Sequence, residues 1–270
     1  MKKHYRRALS IAGSDPSGGA GIQADLKTFS ACGCYGMTVI TAVVDENTIG
    51  VTGVHPVPVP FVAGQIKSVL DDIGADSIKI GMLHSSELIR AVKNTIESYN
   101  IPNIVLDPVM VATSGDKLLQ DDAITTLKNE LIPYVRVITP NIPEAEILLG
   151  KKISRQTDLP LMVKDLSCNR SVSVLLKAGH LFEEELTDVF YNAETDEILE
   201  LKSERVHTKN THGTGCTFSS AIAAFLAHDL PLNNAVRKAK EYINKAINAG
   251  AAYEIGKGHG PVHHFFDFWE

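Results

Sequence analysis

Short apolar runs alternate with longer stretches whose apolar residues recur every three or four positions, and the alternation persists along the whole chain. Residues 8–12 read as a strand, 22–31 as a helix and 38–44 as a second strand of β-branched residues. A turn or flap over 46–55 follows, marked by Gly50 and Gly53. The pattern continues with a helix over 61–73, a strand over 77–80, a helix over 87–99 and a strand over 103–106. Next come a helix over 121–131, a strand over 135–139, helices over 143–149 and 159–169, and a strand over 172–177. Only 186–193 and 197–201 read as an antiparallel hairpin, and helices over 217–227 and 233–253 close the chain.

Strands followed by helices imply parallel pairing with right-handed crossovers. The expectation is therefore an α/β fold, a mostly parallel sheet with helices on both faces, in a single domain over 1–270. Ligands of such sheets gather beyond the carboxyl ends of the strands. Five predicted strand ends carry candidate chemistry: Gly13 to Gly21, Asp45 to Thr48, Gly81-Met82, Asp107 to Gly115, and Pro140-Asn141 to Glu144.

Composition narrows the class. Hydrophobic residues make up 44% of the chain and charged residues 21%, enough apolar surface for a full core. The formal net charge is −6 with no basic block, which argues against a nucleic-acid partner and points to a small ligand. The basic start, Lys2 to Arg7, leads into an apolar run too short for a signal peptide or membrane span. Cys32, Cys34, Cys168 and Cys216 show no paired spacing, so neither a zinc ribbon nor a disulfide framework is indicated and a cytoplasmic setting is expected.

The run Asn210-Thr211-His212-Gly213-Thr214-Gly215-Cys216 empties into the helix over 217–227. Two glycines there let free amides of the first helical turn converge on one spot that suits a phosphate. The Cys216 thiol would sit in the positive end of that helix, which lowers a thiol pKa below its free value of about 8.5 and gives a base near neutral pH. Taken alone, the cysteine favours the blander reading of a glycine turn with a small core residue, and the presence of another glycine-rich run tips the balance to the functional one. A second glycine-rich run, Ser14 to Gly21, lacks Gly-Lys-Ser/Thr and Gly-x-Gly-x-x-Gly, which excludes a P-loop and weakens a dinucleotide fold. Asp25, one turn into the helix that follows, is balanced between a pocket role and a solvated charge.

Asp107 ends an apolar strand, and Asn141 and Glu144 follow the next one. A nucleotide-bound magnesium ion keeps several waters and needs one or two carboxylates, for which Asp107 and Glu144 are the candidates. Separately, Asp107 reads more readily as a cap and Glu144 as a first-turn carboxylate facing the helix dipole. Seven of the ten histidines, His4, His180, His207, His212, His259, His263 and His264, invite a metal reading, but the adjacent His263 and His264 would not face one metal on a helix, and all seven read as structural or surface residues.

Six motifs in register resemble those of the hydroxymethylpyrimidine/phosphomethylpyrimidine kinase family of the ribokinase-like superfamily. They are Ala12 to Lys27, Lys79 to Leu83, Leu106 to Met110, Thr139-Pro140-Asn141, Asn210 to Cys216, and Gly256-Lys257-Gly258 with Gly260 to His264. The resemblance implies a three-layer αβα sandwich, a homodimer, ATP and Mg²⁺. It also implies two successive phosphorylations of 4-amino-5-hydroxymethyl-2-methylpyrimidine in thiamine biosynthesis, giving the monophosphate and then the diphosphate. By position it puts Gly13, Asp25, Val44, Glu46, Met82 and Val109 in the pyrimidine pocket. It puts Asp107 and Glu144 at the metal, Asn141, Lys177, Thr211 and Gly213 at ATP, and Gly213, Gly215 and Cys216 at the anion hole and catalytic position.

Two departures stand out. Many members carry Gln at the position of Glu46 and a small residue at that of Asp45. Lys177-Ala178-Gly179-His180 replaces the usual Lys-Gly-Gly-His, adding a methyl where it would crowd a nucleotide contact. Two other readings remain: a pyridoxal kinase, with dual activity as a variant of it, and a non-catalytic pyrimidine-binding sensor.

Overall fold

The computed structural model describes residues 3–110, 119 and 121–269. Its centre is an eight-stranded sheet made of β1 (Arg7–Ala12), β2 (Tyr35–Ile40), β5 (Ser77–Ile80), β6 (Ile104–Leu106), β7 (Val137–Ile138), β8 (Ser173–Leu176), β9 (Glu185–Asn192) and β10 (Glu197–Glu204). The spatial order is β10-β9-β8-β7-β6-β5-β1-β2. All neighbours from β8 to β2 pair in parallel, whereas β9 and β10 form the antiparallel hairpin.

Successive strand residues point to opposite faces, and the two faces bury different helices. Leu9, Ile11, Ile104, Leu106, Val174 and Leu176 pack beneath α2 (Val59–Asp72), α3 (Ser86–Glu97), α5 (Ile142–Leu149) and α6 (Leu159–Leu166). Ala8, Val105, Val137, Leu175 and Phe190 pack beneath α1 (Gly21–Ala31), α7 (Thr214–Ala227) and α8 (Leu232–Gly250). Three layers result. The chain runs from β1 out to β2, then returns to the other side of β1 as β5, and this reversal opens a crevice at the carboxyl ends of β1 and β5.

Three departures from the sequence expectation have local causes. The run over 38–44 is two strands, not one. Buried Thr41 donates its hydroxyl to the Met82 carbonyl at 2.9 Å, and the chain leaves the main sheet there. Beyond it β3 (Ala42–Glu46) and β4 (Val51–Pro56) form a separate antiparallel pair, the anticipated flap, with an irregularity between Asp45 and Glu46. The helix expected over 121–131 is α-helical only over α4 (Asp121–Thr126), widens to a π turn over Leu127–Leu131, and tightens to a 3-10 turn where Pro133 removes a donor. Finally, α7 starts a turn earlier than residue 217, because Gly213 caps it in the left-handed region at φ 74°. A Cβ at Gly213 would also collide with the Gly19 carbonyl, so only glycine fits.

Candidate active site

A cleft of about 1040 Å³ lies across the carboxyl ends of β1, β5, β6 and β8, between the β3/β4 flap and α8. Of the sequence candidates, Gly13, Val44, Glu46, Met82, Val109, Asp107, Asn141, Glu144, Lys177, Thr211, Gly213, Gly215 and Cys216 all line it. Asp25 does not. It is fully buried beneath the floor, accepting from Ser10 Oγ at 2.5 Å, Ser220 Oγ at 2.6 Å and Lys79 Nζ at 2.9 Å. The pocket placement of Asp25 is thus corrected: its carboxylate is spent on Lys79, and Lys79 is the member of the pair that reaches the cleft wall.

One end of the cleft is apolar. Val44 and Met82 form a small cluster with Ala42, against which Val51 and Val109 pack, and Glu46 is the carboxylate in this wall. Flat rings suit such walls.

The middle of the cleft is charged. Asp107 accepts from Thr139 Oγ1 and Lys177 Nζ, both at 3.0 Å, and its second oxygen lies 3.5 Å from Ser219 Oγ. Burial opposes its charge, but Lys177 and Lys79 prevail and hold the carboxyl below its usual range. Glu144 sits at the start of α5 in a reciprocal capping box: Asn141 Oδ1 accepts from Glu144 N at 2.9 Å, and Glu144 Oε2 from Asn141 N at 2.8 Å. Burial, with the nearby charge of Asp107, pushes Glu144 up to about 7 despite Lys177. The first-turn role weighed for Glu144 is therefore real and coexists with its exposure to the cleft.

The glycine loop closes the middle from above. Its residues Thr211 to Cys216 line the cleft; the Thr214 amide donates to the Thr211 carbonyl at 3.2 Å, and the amides of Gly215 and Cys216 belong to the first turn of α7, where no intrahelical acceptor exists. A side chain at Gly215 would press on Lys177 Nζ and Asp107 Oδ2. His212, read as structural or surface, is structural: buried in the cleft wall, its Nε2 lies 2.9 Å from Asp15 and 3.9 Å from Glu46. Asp15 also accepts from the amides of Ser17, Gly19 and Ala20, so it ties the first glycine-rich loop to the second. Burial opposes both charges of the pair, yet the hydrogen bond between them holds the Asp15 carboxyl low and His212 high. His264 is structural as expected, bonded to Thr217 Oγ1 at 3.0 Å and held by burial at about 3.

Cys216 reverses one expectation. Burial pushes its thiol up to about 11, with Asp25 and Asp107 adding to the effect while Lys79 and the Gly21 amide oppose it. The positive helix end is outweighed by enclosure beside two carboxylates, so the resting group at neutral pH is a thiol. Ala178 also departs from expectation. Its amide donates to Asp188 Oδ1 at 2.7 Å and its methyl packs into the core with Val174 and Leu176, away from the cleft.

Sequence reasoning missed the far wall. Leu186, Val206, Ile243 and Ile247 give that end apolar surface, with Asn244, His180 and the Lys240–Asp188 ion pair (2.7 Å) beside it. Residues 240, 243, 244 and 247 share one helical face, and that spacing was the available signal.

A family model described as phosphomethylpyrimidine kinase matches residues 15–263. The chain belongs to the phosphomethylpyrimidine kinase family. It is 47% identical to the hydroxymethylpyrimidine/phosphomethylpyrimidine kinase of Rhizobium meliloti over 264 residues, which cover 97% of this chain and 98% of that one. It is 46% identical over 256 residues to a thiamine biosynthesis bifunctional protein of Geobacter sulfurreducens, covering 95% of this chain and 51% of that protein. The crystal structure of the ADP complex of Bacillus subtilis pyridoxal kinase superposes with a TM-score of 0.87 at 38% identity, covering 97% and 98% of the two chains. This kinase thus shares its fold with enzymes named for two different substrates.

Proposed function

We propose that this kinase transfers the γ-phosphoryl group of ATP to the hydroxymethyl oxygen of 4-amino-5-hydroxymethyl-2-methylpyrimidine, and then a second phosphoryl group to the resulting monophosphate, in thiamine biosynthesis. The observation that carries the reading is the juxtaposition in one cleft of an apolar slot, bounded by Val44, Met82 and Val109, with the amide cradle of Gly213 to Cys216. Glu46 supplies a carboxylate that accepts a hydrogen bond from the exocyclic amine. The far apolar wall of Val206, Ile243 and Ile247 suits the adenine ring, and Thr211, Asn141 and Lys177 face the phosphates.

Phosphoryl transfer depends on positioning and charge neutralisation more than on covalent chemistry. The cradle amides and Lys177 stabilise negative charge on the transferring group. The first acceptor is an alcohol that must lose a proton, and Cys216 stands at the position to take it; because the resting group is a thiol, the thiolate fraction limits that route. The second acceptor is an ionised phosphate oxygen and requires no base. The donor set fits magnesium: Asp107 and Glu144 are neighbouring buried carboxylates, and burial beside Asp107 disfavours ionisation of Glu144 in the absence of a cation. When bound, the ion would neutralise phosphate charge.

A homodimer is part of the same proposal. The β3/β4 pair is a two-stranded sheet, marginal by itself, and its exposed Val43, Ile49 and Val54 offer apolar surface to a second copy. No helix among the described residues is long and apolar enough to cross a membrane, and all four cysteines are free, which favours a reducing compartment. The test is to follow phosphate products by ³¹P NMR with the pyrimidine and, in parallel, with pyridoxal under matched ATP. Sequential mono- and diphosphate from the pyrimidine is the expected result; turnover of pyridoxal alone would overturn the assignment of the ring.

A further inference from the structure

The motif from Gly256 to Pro261 lies outside the cleft lining and outside every helix and strand, yet its backbone reaches both loops that shape the cleft. On one side it grips the turn of the flap. The His259 amide donates to the Thr48 carbonyl at 2.7 Å, and the Lys257 and Gly258 amides both donate to Thr48 Oγ1 at 3.2 Å. On the other side it grips the phosphoryl loop. The His212 amide donates to the Gly260 carbonyl at 3.0 Å, Pro261 pairs with His212 as a parallel bridge, and His259 Nδ1 lies 3.2 Å from the Lys209 carbonyl.

The approach is close enough to dictate residue type. A Cβ on Gly258 would enter the Thr48 carbonyl, and one on Gly260 would enter the Asn210 side chain. Asn210 is itself pinned, its Nδ2 donating to the carbonyls of Gly250 at 2.8 Å and Tyr253 at 2.6 Å. Thr48 lies just past Glu46 and ahead of Val51, both in the ring-holding wall, while His212 immediately precedes Gly213 of the cradle.

We propose that residues 256–261 form a strap that sets the spacing between the ring-holding flap and the phosphoryl-holding loop, with Thr48 as the positioning residue on the flap. In-line transfer is sensitive to displacements of about 1 Å, so slack in the strap lowers turnover without touching any group that contacts the reacting atoms. The inference rests on the kinase reading above for its catalytic consequence, and on the contacts alone for its mechanical one.

Thr48→Val removes the hydroxyl acceptor and keeps the shape, whereas Thr48→Ser keeps the acceptor. The expected result is a fall in kcat for the first phosphorylation on the order of tenfold in Thr48→Val, with KM for ATP within about twofold and Thr48→Ser close to wild type. Amide hydrogen exchange, measured without substrate, is expected to speed up over residues 209–213, which do not touch the Thr48 hydroxyl, in Thr48→Val and not in Thr48→Ser. Unchanged turnover and exchange in Thr48→Val, or equal losses in both variants, would overturn the strap. Thr48→Ala removes the same oxygen and replaces Thr48→Val if that variant does not fold. If the wild-type chain phosphorylates no pyrimidine, the functional reading fails, and the exchange comparison still decides whether the strap couples the two loops.

Discussion

The charged part of the cleft and its apolar end are held by different physics. In the charged part, Asp107, Lys177 and Lys79, with Asp25 beneath the floor, are buried charges, each locked by at least one opposite charge at 2.9 to 3.0 Å. At the apolar end, Val44, Met82 and Val109 are neutral walls, part of them on a two-stranded sheet tied to the rest by Ser14, which bonds Val44 N and the Ala42 carbonyl, and by the Gly256 to Pro261 segment at its turn. Paired buried charges cannot relax cheaply when a partner is lost, whereas apolar walls tolerate exchange of one shape for another. On the proposed function, phosphoryl transfer belongs to the rigid, charged part and the choice of ring to the adaptable one.

The sharpest way to break that contrast is Asp107→Asn. It removes the counter-charge of Lys177 and one candidate magnesium ligand together, and kcat/KM is expected to fall on the order of 10²- to 10³-fold for both phosphorylations. A loss of less than about tenfold, with the fold intact by circular dichroism, would show that the charged end is not preorganised around this carboxylate. Cys216→Ala is next. It is expected to slow the first phosphorylation on the order of 10²-fold and the second far less. Because the thiol is pushed up to about 11, the ratio of first-step to second-step rate in the wild type should climb as pH rises from 7 toward 10, and should be flat in Cys216→Ala. Taking the ratio cancels any titration that the two steps share, Glu144 included. A flat wild-type ratio would assign Cys216 to positioning the alcohol.

Much of this was legible in the chain, for reasons that differ between the two ends. The alternation of short apolar runs with amphipathic helical stretches predicts a parallel sheet covered on both faces, and Leu9 and Ile11 meet one helical layer while Ala8 and Val105 meet the other. Loops after parallel strands necessarily gather, which brought Gly13, Asp107 and Asn141 together on topology alone, whereas Lys177 entered only through the family resemblance. The break at Thr41 was hidden because β-branched residues favour strands on both sides of it, and only a tertiary bond to Met82 ends the first. Asp25 was left balanced between pocket and solvent because helix periodicity distinguishes inside from outside but not core from cavity, and the resemblance alone placed it in the pocket. Its true partner, Lys79, sits between Ile78 and Ile80 in a strand buried throughout, and no local pattern announces an ammonium group whose counter-ion arrives from another element. The raised thiol of Cys216 was missed for a related cause: the helix end is visible in sequence, the surrounding carboxylates are not.

Glu144→Gln probes the rigid end through stability. The folded protein holds this carboxyl at about 7, against 4.5 ordinarily, so the proton is bound more tightly in the folded state. The favourable contribution is complete below about 4.5 and is lost as pH rises through 7. Glutamine keeps the capping geometry and never ionises. The variant is expected to gain roughly 1–3 kcal/mol over the metal-free wild type at pH 8 and little at pH 5, read by urea unfolding. Added Mg²⁺ should narrow the gap by stabilising the wild type alone. A variant less stable than wild type at pH 8 would mean that the charged bond to the Asn141 amide outweighs the burial of the carboxylate.

The smallest effect tests whether a family departure next to the charged end is functional or merely structural. Ala178 follows Lys177 directly, yet its methyl is fully buried in the core on the far side of the strand end, and its amide is engaged by Asp188 rather than left for a ligand. Restoring glycine therefore removes a packed methyl and loosens the unfolded chain without opening space in the cleft. Ala178→Gly is expected to cost about 1 kcal/mol of stability and to leave KM for ATP within about twofold. A marked drop in that KM would mean that the extra methyl does press on the nucleotide. The amide bond to Asp188, which in turn accepts from Lys240 at 2.7 Å, would then be the path by which a core residue reaches the nucleotide wall.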